Sequence, residues 1–416
     1  MTIELYDTDL VPAKEPAPHH APRMMPASWR LVEPMLARIR HGSLRVFFPN
    51  GGSRQYGNGT PAVTLHIHSA NVIGTILKAG DIGLAQAYID GAWSTEDLPG
   101  LLTLLARNRA ALESLVYGSR WASILYRIRH LLHRNSKAGS RRNIHAHYDI
   151  GNAFYRLWLD ASMTYSSAIF SAGREETLFE AQRSKYRRIL QELELYAMPY
   201  GAKVLEIGCG WGGFAEIAAR EAGARVTGLT LSTEQLAYAD QRMVSAGLEQ
   251  RVDLRLQDYR DIEGKYDAIA SIEMFEAVGE AYWDDYFSCI ARCLKAHGRA
   301  CIQTITIDDE LFERYRSGTD FIQQYIFPGG MLPSVGKFRE AASRHGLQVI
   351  NEFAFGHDYA QTLRIWRDAF HRSLPEVREL GFDDRFVRTW DFYLAYCEAG
   401  FEAGNISVVQ FTLQKS

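Results

Sequence analysis

The residues best suited to chemistry surround one glycine-rich turn in the middle of the chain. The segment Val204–Gly213 leads from an apolar strand pattern through Glu206, Gly208, Gly210 and Gly212 into a helical pattern. Glycine permits positive φ angles and lets a ligand approach the backbone closely. In an open parallel sheet, the point beyond the carboxyl end of the first strand is where nucleotides bind. The sequence therefore predicts a nucleotide-type cofactor beside this turn.

Three features favour S-adenosylmethionine (SAM) as that cofactor. The glycine spacing alone also satisfies GxGxxG, so NAD, FAD or a merely structural turn are alternatives. Glu206, however, stands at the strand end, where methyltransferases place an acid facing the cofactor. The next strand ends in Gly228–Ser232, which offers no carboxylate to an NAD ribose. Asp258 and Tyr259 follow the third strand, where the adenine amino group would be met.

Strands and helices alternate around this turn, which predicts an α/β fold with a doubly wound, mainly parallel sheet. Helices are expected at Ser232–Ala246 and Ala281–Leu294, and the residues between the last two strands look mostly helical. The strands are expected at Lys203–Ile207, Arg225–Leu229, Val252–Leu256, Tyr266–Ile272, Arg299–Thr306, Leu347–Phe353 and Ser407–Leu413.

The N-terminal part of the chain predicts a smaller α+β domain. Residues 1–30 contain five prolines and few apolar residues, and are expected to be a flexible lead-in. Leu44–Phe48 and Val63–His68 are predicted strands around a turn at Pro49–Gly52. With the helical pattern that follows, they define an N-terminal domain at 31–140.

A basic helical stretch closes that domain. Apolar residues recur at helical spacing up to residue 134, and no Asp or Glu occurs between Ser114 and Tyr148. A basic amphipathic helix suits an anionic membrane surface; a helix packed on the next domain with solvated arginines is the equal alternative. The arginines concerned are Arg127, Arg129, Arg141 and Arg142.

The composition of the chain limits the cellular compartment and the binding partners that are expected for the protein. A net charge of −3 gives no reason to expect a nucleic acid partner. Five cysteines at irregular spacing predict reduced core residues and a cytoplasmic protein. No run of about 18 apolar residues occurs, so a membrane substrate would be reached from the water side. His66 and His68 share a strand face, but no third ligand is evident, and no metal is expected.

A series of motifs resembles the cyclopropane-fatty-acyl-phospholipid synthase family and its mycolic acid relatives. The match runs in order from about residue 145 to the end, and Gly83–Gly91 looks like the N-terminal domain of the longer bacterial synthases. The motifs are His147–Asn152, Thr164–Ala168, Gly210–Gly213, Met274–Gly279, Tyr325–Gly330 and Phe355–Tyr359. The resemblance implies a class I methyltransferase domain at 141–416, with an acyl-site insertion at about 355–405.

The resemblance also implies a reaction and its residues. A cis double bond of an unsaturated acyl chain in membrane phospholipid attacks the SAM methyl group, and proton loss from the resulting carbocation closes a cyclopropane ring. Cofactor contacts are implied at Tyr165, Ser166, Gly208, Gly210, Thr230, Leu231 and Gln235. A bicarbonate, acting as the base, is implied among Ser167, Glu276, Gln303, Ile305 and Tyr359.

Two of these positions depart from the family, which commonly has Cys where Ser167 stands and His where Gln303 stands. A third, the family His after the glutamate, is Ala277. Serine and glutamine can donate hydrogen bonds but cannot become cationic. Bicarbonate use is therefore open, and a methyl- or methylene-branched chain is the alternative product.

Two other functions share part of this pattern. A methyltransferase of small metabolites would have the cofactor turn without the acyl-site motifs, and a lipid-binding protein with a decayed site would explain the departures. The favoured interpretation is an enzyme associated peripherally with the inner face of the membrane. Pairing into a homodimer is a further expectation from the longer relatives.

Overall fold

The computed structural model describes residues 29–112 and 150–415, apart from 172 and 174. The lead-in at 1–28 and the basic stretch with Arg127, Arg129, Arg141 and Arg142 lie outside the described residues. So do His147, Tyr148 and Asp149 of the first family motif. Among the described residues, no helix combines the length and apolar character needed to cross a membrane.

The N-terminal part forms a four-stranded sheet in the order β2-β1-β3-β4 with helices packed beside it. The strands are β1 (Ser43–Phe47), β2 (Ser53–Gly57), β3 (Ala62–Ile67) and β4 (Trp93–Ser94). The helices are α1 (Trp29–Leu36), α2 (Val72–Ile89) and α3 (Leu98–Arg107).

The pairing of this sheet corrects the predicted hairpin. The turn at residues 49–52 leads into β2, which pairs antiparallel with β1, whereas β3 lies parallel to β1. The prediction missed β2 because Ser53–Gly57 carries three exposed polar residues and one buried side chain, Tyr56. Alternation with so little apolar content gives a weak strand signal.

The rest of the chain forms a seven-stranded sheet in the order β10-β11-β9-β8-β5-β6-β7. Five strands are parallel neighbours, and β11 runs antiparallel between β9 and β10. The doubly wound, mainly parallel fold is therefore confirmed. The strands are β5 (Lys203–Ile207), β6 (Arg225–Thr230), β7 (Val252–Leu256), β8 (Tyr266–Ile272), β9 (Leu294–Ile307), β10 (Leu347–Ala354) and β11 (Ile406–Lys415).

Helices flank this sheet and extend from its end. They begin with α4 (Asn152–Tyr155), α5 (Leu178–Glu192), α6 (Gly213–Glu221) and α7 (Thr233–Ala246). They continue with α8 (Trp283–Cys293), α9 (Asp309–Ser317), α10 (Phe321–Tyr325) and α11 (Val335–Ser343). The predicted helical segment between the last two strands contains α12 (Gly356–Arg372), α13 (Leu374–Glu379) and α14 (Asp384–Glu402).

The N-terminal sheet and the helices α12 and α14 share one hydrophobic core. Their buried apolar residues form a single cluster that extends from Trp29 to Val408. Polar contacts reinforce this packing: Tyr88 donates to Asp391 Oδ2 at 2.6 Å, and Tyr396 donates to Asp81 Oδ2 at 2.9 Å. The N-terminal part is thereby fixed against the helices that, in sequence, form the predicted acyl-site insertion.

Candidate active site

One cavity of about 580 Å³ connects the carboxyl edge of the large sheet with the N-terminal part. At the sheet edge, β5 ends in the glycine turn, where Gly208 has φ +85° and Gly210 has φ +51°. A Cβ on Gly208 would lie 2.9 Å from Met274 Cγ, whereas none of the described atoms lies within 4 Å of the corresponding position on Gly210. The turn therefore needs glycine at these two positions, and it leaves room for a ligand beside Gly210.

Most of the residues predicted to bind the cofactor line this cavity together. Gly212 does not: it precedes α6 with φ +82°, and a Cβ there would lie 3.1 Å from Met243 Cε. Glycine at this position allows α7 to pack closely against the start of α6. Those that line the cavity are Tyr165, Ser166, Glu206, Gly208, Gly210, Thr230, Leu231, Gln235, Asp258 and Tyr259.

The acid at the end of β5 fits a polar cofactor. Glu206 is buried, and its Oε2 atom has no hydrogen-bond partner among the described residues. Burial raises the pKa of this carboxyl well above its usual value. A buried polar atom without a partner is costly, so a donor from a bound molecule would satisfy it. Asp258 differs, since Arg260 already pairs with its carboxylate at 2.6 Å.

The central group of the site is Glu273, which the sequence analysis did not single out. Its Oε1 accepts hydrogen bonds from the backbone N–H of Ser167 and from Gln303 Nε2, both at 2.8 Å. Its Oε2 accepts from the Tyr359 hydroxyl at 2.7 Å. Three of the five positions predicted to hold a bicarbonate thus converge on a carboxylate that belongs to the chain.

The backbone at Glu273 supports a functional role for this residue. Its φ is +49°, in the left-handed region that non-glycine residues rarely adopt. Such strain persists where the surroundings over-determine the conformation, often at active sites. Glu273 also lies directly after β8, at the carboxyl edge that collects ligand-binding residues in parallel sheets. The location of Glu273 at the end of a predicted strand is the sequence signal that could have identified it. The predicted motif, however, began one residue later, at Met274.

Ser167 and Gln303 act from behind Glu273. Both are fully buried, and neither lines the cavity. The Ser167 hydroxyl donates to Ala168 O at 3.0 Å, so this residue meets the carboxylate through its backbone and not through the predicted side chain. Gln303 donates to the same carboxylate through its side chain.

Glu276, the carboxylate predicted from the family motif, occupies a separate position. Its Oε1 accepts a hydrogen bond from the backbone N–H of Ile305, while Oε2 has no partner among the described residues. Burial, followed by the nearby charge of Glu273, raises the pKa of Glu276 to about 8. Two neighbouring carboxyls with separated pKa values commonly take different roles. A pKa of about 8 leaves Glu276 mostly protonated at neutral pH, whereas the three hydrogen bonds that Glu273 accepts favour its ionised form.

A buried lysine faces the Glu273 charge, and burial lowers the pKa of this lysine, Lys185, to about 7. Lys185 has no exposed surface, and its Nζ lies 2.5 Å from Ser166 Oγ. Burial raises the pKa of Glu273, and the Lys185 cation opposes that rise more than any other neighbour. The three hydrogen bonds from Ser167, Gln303 and Tyr359 also favour the ionised form.

Away from these charges the cavity wall is aromatic and then aliphatic. Tyr165 and Tyr393 share a hydrogen bond of 2.5 Å between their hydroxyl groups, and Phe401 packs against Tyr359 with 4.6 Å between ring centroids. Farther along, the N-terminal part contributes aliphatic side chains from β1, β3 and α3. They include Leu44, Leu65, Leu101 and Leu105.

Comparison with known proteins identifies the family. The model of the mycolic acid cyclopropane synthetase family matches residues 135–411. The chain belongs to this family. A tuberculostearic acid methyltransferase from Mycobacterium tuberculosis is 36% identical over 98% of this chain and 96% of its own. The cyclopropane-fatty-acyl-phospholipid synthase of Escherichia coli K12 is 32% identical over 86% of this chain and 89% of its own.

A solved structure agrees with this assignment. The mycolic acid cyclopropane synthase CmaA1, in complex with SAH and CTAB, is similar with a TM-score of 0.61 and 33% identity, covering 66% of this chain and 98% of its own. The protein is therefore a SAM-dependent methyltransferase of a family that modifies fatty acyl lipids. The predicted family, fold and cofactor are confirmed.

Proposed function

We propose that this enzyme methylates the cis double bond of an unsaturated acyl chain in membrane phospholipid and that Glu273 removes the resulting proton. We further propose that the product is a methyl- or methylene-branched chain. The observation that carries the proposal is the position of Glu273. Its carboxylate accepts from Ser167, Gln303 and Tyr359, three positions where the family resemblance implied bicarbonate.

The site has the features that this chemistry requires. When bound, SAM supplies an electrophilic methyl group on its sulfonium. The double bond forms a carbon–carbon bond to that methyl group as the carbon–sulfur bond breaks, which leaves a cation on the acyl chain. An apolar wall keeps water from trapping this cation, and aromatic faces such as those of Tyr165 and Tyr393 stabilise it.

Glu273 is suited to take the proton. A general base works best when its pKa approaches the operating pH, and burial raises the pKa of Glu273 towards that range. Tyr359 and Gln303 hold the carboxylate in one orientation. A base fixed to the protein reaches only part of the chain, so it can select a proton other than the one whose loss closes a ring.

The name of one relative supports a branched product. The tuberculostearic acid methyltransferase, which aligns over 98% of this chain, is named as a methyltransferase, whereas the Escherichia coli relative is named as a cyclopropane synthase. Proton loss from a neighbouring chain carbon gives a methyl-branched alkene. A hydride shift followed by loss of a methyl proton gives a methylene branch.

The N-terminal domain at 31–140 is proposed to hold the lipid. It contributes an aliphatic end to the cavity that also contains Glu206 and Glu273, which suits an alkyl chain. A methyltransferase for small polar metabolites would have no use for such a wall. Peripheral binding to the inner face of the membrane, from the cytoplasm, completes this proposal.

Labelled cofactor tests the product. The enzyme would be incubated with SAM carrying a trideuterated methyl group and with vesicles of cis-unsaturated phospholipid, and the lipids analysed by mass spectrometry and NMR. A methyl-branched alkene keeps three deuteriums, and a methylene branch keeps two with an olefinic CD2 signal. Two deuteriums with a cyclopropane signal would overturn the branched product, and unmodified lipid would overturn the proposed function itself.

A further inference from the structure

Behind Glu273, a chain of hydrogen bonds leads away from the cavity to Arg188 on α5. Arg188 Nη1 donates to Gln410 Oε1 at 2.6 Å, and Gln410 Nε2 donates to Gln303 Oε1 at 3.0 Å. Gln303 Nε2 then donates to Glu273 Oε1 at 2.8 Å. Four side chains from α5, β11, β9 and the end of β8 are thus connected in one direction.

The sheet register fixes the middle of this chain. Gln410 and Gln303 are directly paired residues of the antiparallel strands β11 and β9, so their side chains lie on the same face. Both glutamines are fully buried. A buried amide can exchange the positions of its oxygen and its NH2 group unless its partners decide between them.

Arg188 sets the direction of these hydrogen bonds because a guanidinium group donates hydrogen bonds and cannot accept them. It requires the Gln410 oxygen, which turns the Gln410 NH2 group towards Gln303. Gln303 then presents its oxygen to Gln410 and its NH2 group to Glu273. Each bond polarises the next, which strengthens a chain of this kind in a low-dielectric interior.

We propose that Arg188 is a positioning residue that, through Gln410 and Gln303, directs a hydrogen-bond donor at Glu273 and keeps it in the carboxylate form. The proposal rests on the proposed role of Glu273 as the base. Arg188 is itself held by Glu192 at 3.2 Å and by stacking over Phe353, 4.2 Å from the ring centroid. It is not among the residues that line the cavity.

The titratable groups that face Glu273 set the expected direction. Lys185 on α5 favours its ionised form, Glu276 opposes it, and Tyr359 on α12 donates to it. Without Arg188, the hydrogen bond from Gln303 to Glu273 is weaker, so the pKa of Glu273 rises. Because Glu273 acts as a base only when it is ionised, the acid limb of the pH profile of kcat moves to higher pH.

The test compares Arg188→Met with Arg187→Met, a control one residue away whose guanidinium pairs with Glu221 at 2.8 Å. We expect the acid limb of Arg188→Met to move up by about 0.5–1 pH unit, which lowers kcat about 3- to 10-fold on the limb. Affinity for S-adenosylhomocysteine should not change. Arg188→Lys should restore part of the shift, and Arg187→Met should match the wild type.

A double-mutant cycle keeps the proposal falsifiable if Arg188→Met folds poorly. Gln410→Leu interrupts the same chain, so Arg188→Lys/Gln410→Leu should shift the limb no further than Gln410→Leu alone. Additive shifts would overturn the proposal, as would an Arg188→Met profile superimposable on the wild type.

A measurement without turnover separates this proposal from the proposed function. The folded pKa of Glu273 is raised, so folded protein binds more protons than unfolded protein, and the unfolding free energy falls as pH rises towards that pKa. Arg188→Met should extend this fall to higher pH in urea titrations, but not in a Glu273→Gln background. If Arg188→Met changed the pH dependence of the unfolding free energy equally with Glu273 and with Glu273→Gln, the proposed role of Arg188 would be overturned even for an enzyme that methylates lipid. If the pH dependence were as expected but the wild type were inactive, only the proposed function would be overturned.

Discussion

The two ends of the cavity are constructed on different physical principles. At the sheet edge, Glu273 is fixed by three hydrogen bonds of 2.7–2.8 Å and a strained backbone. At the N-terminal end, most of the wall is aliphatic, with side chains such as Leu44 and Leu105. Hydrogen bonds are directional, whereas burial of apolar surface is not. Substitutions at the first end should therefore change the chemistry, and those at the second should change which chain is accepted.

The largest effect is expected from Glu273→Gln, which removes the base and nearly preserves its shape. We expect kcat to fall about 10²- to 10⁴-fold, the usual contribution of a positioned general base. Affinity for S-adenosylhomocysteine, measured by calorimetry, should stay within about twofold, since the cofactor turn is unchanged.

Two controls sharpen this expectation. Glu280→Gln changes a carboxylate seven positions later in the chain that pairs with Arg316 outside the cavity, and it should leave kcat unchanged. Wild-type activity should also be the same in bicarbonate-free and bicarbonate-supplemented buffer. A marked requirement for bicarbonate would contradict the assignment of Glu273 as the base.

A smaller effect is expected at the apolar end from Leu105→Trp. The larger side chain occupies space in the aliphatic part of the cavity, so vesicles with shorter unsaturated chains should be preferred several-fold over those with longer chains. The measurement is the ratio of kcat/KM for the two vesicle types. Arg107→Trp, on the exposed side of α3, should leave the ratio unchanged. An equal loss with both chain lengths would show that this end does not contact the acyl chain.

The smallest effect concerns stability at Glu276. Its folded pKa of about 8 lies above the unfolded value, so the stability that it contributes is present at low pH and is lost as pH rises towards 8. Glu276→Gln should flatten the pH dependence of the unfolding free energy between pH 5 and 8 by at most about 3 kcal/mol. Urea titrations at several pH values measure this. An unchanged slope would mean that Glu276 is ionised in the folded protein at neutral pH.

Local sequence patterns were sufficient to predict the large sheet and the glycine turn at its edge. Its central parallel strands are mostly buried and apolar, and the glycine turn after β5 follows from local geometry, so both have strong local signals. The strand-end position predicted Glu206, and the family resemblance implied Tyr359 and Gln303; the structure brings all three to one site or its supporting layer.

Which carboxylate lies at the centre of the site could not be predicted from local patterns. Glu273 and Glu276 are three residues apart after the same strand, and nothing local distinguishes them as bases. The difference arises from contacts distant in sequence: Ser167, Gln303 and Tyr359 donate to Glu273, whereas Glu276 accepts from the Ile305 backbone. The parallel pairing of β1 with β3, and the direction that Arg188 gives to two glutamines, likewise depend on partners that no local pattern specifies.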